Sequence, residues 1–377
     1  MDAKTLEARA RAEGTPVIES DTATFVWRGR GPICLQGDFQ DWRGKPLPFK
    51  RVAPGLWART LTLPADAYVE YALEDPRGQR VEDPLNRHPS DNGFGGINHS
   101  FHMPQARSSL PARHPRGAPR GRVTRHVVDT GDVDLPGQRR VYLYAPPTDA
   151  SVPLVVVYDG EDYLRRVRLP ELVDTLVAEG RMRPVALALV CNGGETRSME
   201  YACSEYTVGL LKWKVLPLAR QKLSLVDERR SPGAHAVLGA SLGGLMALYT
   251  GLRMPDVFGR VLSQSGAFAV EGHDFVVFDL ARPPPRRPLD IWLDCGRFEG
   301  LLEGNRRIAP VLSEAGHQVE LREYSGGHNY PAWREDLVHG LERHFPPPPR
   351  QAPGVIAFFR AVTRARPPCG DTPEDAR

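Results

Sequence analysis

The sequence predicts an α/β protein in which a doubly wound, mostly parallel sheet is preceded by a small all-β sandwich. From residue 122 onward, runs that are apolar on both faces alternate with helical segments, which is typical of a buried parallel sheet. Before residue 104, short alternating runs are separated by turn residues, and no long helical period is visible. The 377 residues suit two domains, because single domains usually span about 100–200 residues.

Changes in composition divide the chain into five predicted segments. In order, they are an amino-terminal extension (1–21), a β-sandwich domain (22–103), a linker (104–121), an α/β domain (122–345) and a disordered tail (346–377). The linker is predicted from its density of Pro, Arg, Gly and Ser. The tail opens with four prolines, and within it only residues 354–366 could form an exposed amphipathic helix.

Within these segments the hydrophobic pattern predicts the individual elements. The sandwich strands are expected at 24–28, 32–36, 56–63 and 68–73. The strands of the α/β domain are expected at 153–158, 185–190, 234–238, 260–263, 289–294 and 318–324. The helices are expected at 170–179, 208–222, 242–253, 305–315 and 331–344.

Charge and composition exclude several classes of protein. The net charge is only +3, and the short Arg pairs are mixed with acids, so no basic face for nucleic acid is expected. The first residues lack the apolar core of a secretory signal, and no stretch reaches the length of a membrane span. Five cysteines without CxxC spacing, and no H-E-x-x-H, predict a cytoplasmic, disulfide-free protein without metal or cofactor.

The segment Gly239-Ala240-Ser241-Leu242-Gly243 matches the pattern G-x-S-x-G, the nucleophile elbow of α/β-hydrolases. It follows a β-type run and precedes a helix rich in small residues, which is the context that this motif requires. The glycines allow a strand to turn sharply into a helix while the serine hydroxyl projects from the turn. The other interpretation is a Gly/Ser-rich helix cap without chemistry. We take Ser241 as the candidate nucleophile.

The candidate general base is His328. In α/β-hydrolases the histidine follows both the serine and the acid along the chain. His328 follows the last predicted strand in the sequence Ser-Gly-Gly-His, where two glycines let the backbone bend over the edge of the sheet. The remaining histidines that we considered lie in strands, helices or variable loops: His235, His273, His317, His339 and His344.

The acid that would orient this histidine should follow a strand that ends between residues 241 and 328. Glu299, in the loop after the predicted strand 289–294, is the first choice. Asp294 and Glu303 compete with it, because Asp294 could still belong to the strand and Glu303 could already belong to the next helix. Each of the three could instead be a surface or capping carboxylate.

Two backbone amides are expected to stabilise a developing oxyanion. The Leu242 N–H lies at a helix start, directly after the serine. The second donor is expected in the turn after strand 153–158, where Gly160 permits close backbone approach and the Glu161 N–H is the best candidate. The Glu161 side chain could simply be an acid at a helix start.

Six sequence blocks between residues 139 and 344 carry a resemblance to a known family. They are VVYDGEDYL, ETRSMEY, VLGASLGGLMALYTGLRMPDVFG, VLSQSGAF, DCGRFE and SGGHNYPAWREDL. This span resembles the esterase D group and, within it, the enterochelin (enterobactin) esterases. GDFQDW at 37–42, Trp57 and DPLN at 83–86 are similar to the early-set β-sandwich that precedes the hydrolase domain in those esterases.

The resemblance implies hydrolysis of the ester bonds of a tri-serine lactone siderophore in the cytoplasm, with a ferric catecholate siderophore as the small-molecule substrate. It supports Ser241 and His328 and matches the family's acid best to Glu299, although some related enzymes work largely as a Ser–His dyad. Arg197 and Glu200 match a recurring R-x-x-E, which implies loop organisation or contact with an anionic ligand. An ordinary surface pair is at least as good an interpretation of these two.

The substrate is less constrained than the reaction. The segment Cys203-Ser204-Glu205 lacks the proline-rich sequence expected in the loop at the substrate mouth. Trp27, Trp42 and Trp57 suit either a sandwich core, which we favour, or stacking on sugar or catechol rings. The alternatives are therefore a carbohydrate, feruloyl or general acyl esterase with a glycan-binding module, an acyltransferase, and a non-catalytic binding protein.

Overall fold

The computed structural model describes residues 1–93, 95–111, 113–135 and 137–348. Two small antiparallel sheets at the amino-terminal end are followed by one large mixed sheet with helices on both faces. This arrangement confirms the predicted fold class. The helix predicted at 354–366 lies outside the described residues.

The described residues of the amino-terminal region form ten strands. They are β1 (Val17–Glu19), β2 (Thr22–Arg28), β3 (Cys34–Gly37), β4 (Leu47–Pro48), β5 (Lys50–Ala53), β6 (Leu56–Thr62), β7 (Tyr68–Glu74), β8 (Arg80–Val81), β9 (Pro89–Asp91) and β10 (Ile97–His102). One sheet has the order β1-β2-β6-β5, and the other has the order β4-β3-β7-β10-β9, with β8 beside β7. Phe25 of the first sheet meets Tyr71 of the second edge to face, with ring centroids 4.8 Å apart, so the core lies between the sheets. Trp27 and Trp57 pack partly buried against this core.

The amino-terminal extension contains a helix that the sequence analysis did not predict. Helix α1 (Ala3–Glu13) begins at Asp2, whose carboxylate accepts the N–H groups of Lys4 and Thr5. Leu6 and Ala10 of this helix are buried with apolar residues of β2 and β6. Because most residues of this segment are charged or polar, the narrow apolar face of the helix gives only a weak periodic signal in the sequence.

The described residues after 121 form ten further strands, of which eight build the large sheet. They are β11 (Arg122–Asp129), β12 (Gln138–Ala145), β13 (Leu154–Val157), β14 (Ala186–Val190), β15 (His235–Ala240), β16 (Phe258–Gln264), β19 (Asp290–Gly296) and β20 (Gln318–Tyr324), with β17 (Ala269–Val270) and β18 (His273–Asp274) as a separate hairpin. The order is β11-β12-β14-β13-β15-β16-β19-β20. The strands from β14 to β20 in this order are parallel, and β11 and β12 add an antiparallel edge that was not predicted.

Among the described residues, eight helices lie between these strands and a ninth follows β20. They are α2 (Gly160–Asp162), α3 (Leu169–Ala178), α4 (Arg197–Tyr201), α5 (Glu205–Leu210), α6 (Leu216–Lys222), α7 (Leu242–Arg253), α8 (Val277–Ala281), α9 (Leu302–Ala315) and α10 (Tyr330–His344). The segment 208–222, predicted as one helix, consists of the end of α5, a π-helical turn (Leu211–Val215) and α6. The predicted helix 242–253 is confirmed with the same bounds.

Strand β13 shows why its sequence is continuously apolar. Leu154 and Val156 pack on one face with residues of α7 and α9, while Val155 and Val157 pack on the other face with residues of α3 and α10. Because both faces are covered, every residue of the strand is buried. The carboxyl ends of the parallel strands are therefore left as the edge where polar loops can gather.

Across the described ranges, no helix combines the length and apolar character needed to cross a membrane. The four cysteines in this part of the chain form no disulfides: Cys34, Cys191, Cys203 and Cys295.

Candidate active site

Ser241 lies in the sharp turn between β15 and α7. Its backbone has φ 60° and ψ −125°, a conformation that a residue with a side chain adopts only under strain. Two bonds to the last residue of β16 and the loop after it hold the turn. The Ser241 N–H donates to the Gln264 carbonyl at 2.9 Å, and the Ala267 N–H donates to the Ser241 carbonyl at 3.0 Å. The turn has the shape that the G-x-S-x-G motif predicts.

The two glycines of the motif are enforced by crowding. A Cβ at Gly239 would collide with the backbone of Gly243. A Cβ at Gly243 would lie 3.1 Å from Asp159 Oδ2. The turn after β13, which contains Asp159 and Gly160, therefore lies directly against the start of α7.

His328 lies in the loop between β20 and α10, where it contacts Glu299. The distance between its Nδ1 and Glu299 Oε2 is 2.5 Å. The His328 side chain is 32% exposed, whereas that of Glu299 is 1% exposed. The imidazole also meets the Trp333 ring edge to face, with centroids 4.8 Å apart. The imidazole is thus held by Glu299 and Trp333, and the rest of the ring remains partly open to solvent.

Glu299 is held by three further donors. Its Oε1 accepts bonds from Ser265 Oγ at 2.7 Å, from the Gly296 N–H at 2.8 Å and from the Tyr324 hydroxyl at 3.3 Å. Ser265 Oγ in turn accepts the Trp333 indole N–H at 2.8 Å. These bonds leave Oε2 free to face the imidazole. Ser265 was missed as a site residue, because a serine after a strand carries no sign of its distant partner.

The other two candidate acids lie elsewhere. Asp294 is fully buried at the end of β19, where it accepts bonds from Gln264 Nε2 at 2.7 Å and from the Ser265 N–H at 3.2 Å. Burial raises the pKa of Asp294 well above its ordinary value. Glu303 is exposed in the first turn of α9. Of the three carboxylates, only Glu299 forms a hydrogen bond with His328.

The other histidines considered as candidate bases lie away from Glu299 and make different contacts. His235 and His317 accept backbone N–H bonds at the starts of strands, and His339 lies 2.9 Å from Ser109 Oγ of the predicted linker. His344 is buried, and His273 is exposed in the hairpin. In the part of the chain described, no group of three or more His, Cys, Asp or Glu side chains is arranged to hold a metal ion.

Ser241 and His328 lie at the same edge of the sheet. Ser241 follows the carboxyl end of β15, and His328 follows the carboxyl end of β20. The segment 264–267 bridges them, because it bonds to Ser241 through its backbone and to Glu299 through Ser265. Among the described residues, no hydrogen bond joins Ser241 Oγ to the imidazole. In hydrolases this bond often tightens only when substrate binds.

The turn after β13 is organised by Asp159. Its buried carboxylate accepts a bidentate pair of bonds from Arg197 at 2.7 Å each, and one from Asn192 Nδ2 at 2.6 Å. Gly160 then starts α2, and a Cβ there would collide with the backbone of Leu189. The Glu161 side chain pairs with Arg140 and Arg165. Leu242 is the first residue of α7, so its N–H has no carbonyl partner within the helix.

Arg197 and Glu200 do not pair with one another in this loop. The Arg197 guanidinium is occupied by Asp159, while the buried Glu200 carboxylate pairs with Arg139 and accepts the Thr196 hydroxyl at 2.5 Å. Cys203, which follows them, has a positive φ of 59°. The loop between β14 and α5 is thus held against the turn after β13 and against β12, which lies between β11 and β14.

The residues of this site fall within the span that matches a known family model. The Esterase family model, described as "Putative esterase", matches residues 133–344. The chain belongs to the Esterase family. The match spans β15, α7, β20 and α10, and therefore includes Ser241, Glu299 and His328. The two small amino-terminal sheets precede it.

Several proteins with assigned names are similar to the chain. An iron(III) enterobactin esterase of Dickeya dadantii is 32% identical over 284 residues, which cover 69% of this chain and 64% of that protein. An iron(III) salmochelin esterase of Escherichia coli is 27% identical over 361 residues, covering 84% and 86%. The chain thus spans slightly less than two thirds of the Dickeya protein.

Solved structures share the complete architecture. The ferric enterobactin esterase of Salmonella typhimurium superposes with a TM-score of 0.73 at 22% identity, covering 90% of this chain and 98% of that one. The enterobactin esterase of Shigella flexneri, determined in the presence of enterobactin, gives a TM-score of 0.72 at 22% identity, covering 86% and 92%. Because the coverage exceeds the family match, the likeness in fold includes the amino-terminal sheets.

Proposed function

We propose that this chain is a serine esterase that hydrolyses the ester bonds of an enterobactin-type catecholate siderophore through an acyl-enzyme. Ser241 is the nucleophile, His328 the general base and Glu299 the acid that orients it. The observation that carries the proposal is the 2.5 Å contact between His328 Nδ1 and a buried Glu299, at the sheet edge where Ser241 lies in a strained turn.

Acylation starts with proton transfer. With its Nδ1–H donated to Glu299, the imidazole has a free lone pair on Nε2 that accepts the proton of Ser241 Oγ. Oγ then forms a bond to the ester carbonyl carbon, and the oxyanion is held by the N–H groups of Leu242 and Glu161. The ester C–O bond breaks, and the alcohol leaves with the proton from His328.

Deacylation repeats these steps with water. His328 takes a proton from water, and the resulting hydroxide attacks the acyl carbonyl. The bond between Oγ and carbon breaks, Ser241 regains the proton, and the carboxylic acid is released. Throughout, Arg197 fixes the turn containing Gly160 and Glu161 through Asp159, and Glu200 fixes the same loop through Arg139.

The proposal of a siderophore substrate is based on the named relatives. The Dickeya and Escherichia proteins are named for esters of iron(III) enterobactin and iron(III) salmochelin, and their similarity supports the same ester class here. As in the enterochelin esterases that the sequence resembles, we place the reaction in the cytoplasm. We also propose that residues 22–103 and 122–345 form two domains, a division supported by their separate apolar cores.

A substrate panel analysed by mass spectrometry tests the ester class. We expect ferric enterobactin to be converted to linear dihydroxybenzoylserine units, with little turnover of feruloyl or acetyl xylan esters. The feruloyl and acetyl esters contain the same carbonyl chemistry and so serve as the matched comparison. Preferential release of ferulate or acetate would replace the siderophore proposal with a carbohydrate esterase, and product acylated on an added sugar would indicate acyl transfer.

Replacing Glu299 with glutamine is expected to lower kcat for a p-nitrophenyl ester by at least about a hundredfold, because an amide facing Nδ1 favours the wrong imidazole tautomer. Glu303→Gln, in the exposed first turn of α9, is the matched control and should retain wild-type kcat. Unchanged activity of Glu299→Gln would indicate a Ser–His dyad.

A further inference from the structure

Asp38, which belongs to the GDFQDW segment, is buried beneath the loop that carries His328. It follows β3 in a short 3-10 turn, and it is 1% exposed. Its Oδ2 accepts the Asn329 side-chain amide at 3.2 Å, although the two residues are 291 positions apart. A Cβ at Gly327 would collide with the carboxyl group of Asp38. The residues on both sides of His328 therefore touch this single side chain.

The same loop is attached to the amino-terminal region by its backbone. The Tyr68 N–H, at the start of β7, donates to the Ser325 carbonyl at 3.0 Å. Asn329 caps the amino-terminal end of α10. Its Oδ1 accepts the Ala332 N–H at 2.9 Å, and its Nδ2 donates to Asp38. The segment 325–329 is thus fixed at its first and last residues by β7 and Asp38.

The loop carrying Glu299 is also seated on this region. Phe298 packs against the apolar core between the two small sheets. A Cβ at Gly300 would lie 2.8 Å from Asp41 Oδ2. Both members of the His328–Glu299 pair therefore rest on the segment 38–41 and its neighbours, so the pair cannot shift without disturbing this contact.

Hydrogen bonds from three donors hold the Asp38 carboxyl group in place. Besides Asn329, it accepts the Glu70 N–H at 2.7 Å and the Trp42 indole N–H at 2.8 Å. Burial raises the pKa of Asp38 to about 8, and the bond from Glu70 opposes this rise. Removing the Asp38 carboxyl group would leave the three groups that donate to it without a hydrogen-bond partner at this position.

We propose that Asp38 is a positioning residue for the proposed general base. By bonding to Asn329 and filling the space beside Gly327, it fixes the backbone on both sides of His328 and so sets the direction of the imidazole toward Ser241. Catalytic groups displaced by about 1 Å can lose about a hundredfold in rate. The amino-terminal sandwich then contributes to catalysis through the base, independently of any contact with substrate. This inference rests on the proposed role of His328.

The test compares three variants of the full chain. Asp38→Ala removes all the contacts of the carboxyl group. Asn329→Ser keeps a residue that can cap α10 and removes the donor to Asp38, without altering the sandwich. Asp83→Asn is the matched control, because Asp83 is a buried carboxylate of the same region whose bonds go to Tyr71 and Leu85.

Two readouts are measured for each variant. Steady-state hydrolysis of a p-nitrophenyl ester gives kcat and KM, and proton NMR follows the downfield signal of the His328 Nδ1–H bonded to Glu299. We expect Asp38→Ala to lower kcat by about ten- to a hundredfold with little change in KM, and to broaden or shift the proton signal. Asn329→Ser should change both in the same direction, and Asp83→Asn should leave both unchanged.

The outcomes separate this inference from the proposed function. A wild-type kcat and proton signal in Asp38→Ala, or an equal loss in Asp83→Asn, would overturn the positioning role. If the wild-type chain hydrolyses no ester, the proposed function fails. The proton signal, which does not depend on turnover, still decides whether Asp38 sets the position of His328.

Discussion

Replacement of Ser241 by alanine is expected to lower hydrolysis of a p-nitrophenyl ester by at least about a thousandfold. The hydroxyl is the only group at this position that can form the acyl intermediate, whereas both residues have a Cβ and tolerate the strained turn equally. The rate is measured at saturating ester, and circular dichroism with thermal melting checks that the fold is retained.

Ser224→Ala is the matched control for this variant. Ser224 is exposed, and its carbonyl accepts the Val152 N–H before β13 begins, so it lies at the opposite, amino-terminal edge of the sheet. Its replacement should leave the rate unchanged. Turnover close to that of the wild-type protein in Ser241→Ala would show that another group is the nucleophile.

Replacement of His328 by alanine is expected to cause a loss of similar size, again at least about a thousandfold. Without the imidazole, the proposed acceptor of the serine proton is gone, and Glu299 Oε2 loses its partner. Because His328 is partly exposed, its removal leaves a solvent-accessible space in which added imidazole should restore part of the rate. The same ester assay, with and without imidazole, measures both effects.

His273→Ala serves as the control, since His273 is exposed in the β17–β18 hairpin, where its Nδ1 lies 3.1 Å from the Glu271 carbonyl. It should behave as wild type, with no response to imidazole. Full activity of His328→Ala, or equal losses in both variants, would exclude His328 as the base.

The nucleophile turn could be predicted because its cause is local. A strand that turns into a helix around a projecting serine requires glycine on both sides, and the collision between Gly239 and Gly243 shows that constraint directly. The buried strands could be predicted for a similar reason, since coverage on both faces makes each run apolar. Helix 242–253 was therefore located to the residue.

The acid could not be chosen from the sequence with the same security. Asp294 lies in β19 and Glu299 and Glu303 follow it, and only the path of the chain determines which carboxylate faces the imidazole. The positions of Ser265 and Asp38 depend on contacts with residues far away in the chain, which leave no periodic or spacing signal. Helix α1 was not predicted because its buried face consists of only Leu6 and Ala10, among many charged residues.

Covalent labelling tests the identity of the nucleophile most directly. The wild-type protein is treated with a fluorophosphonate probe, digested and examined by peptide mass spectrometry. We predict one labelled residue, Ser241, with labelling abolished in Ser241→Ala and strongly slowed in His328→Ala. Absence of label at Ser241, or labelling at a different serine that persists in Ser241→Ala, would contradict the account.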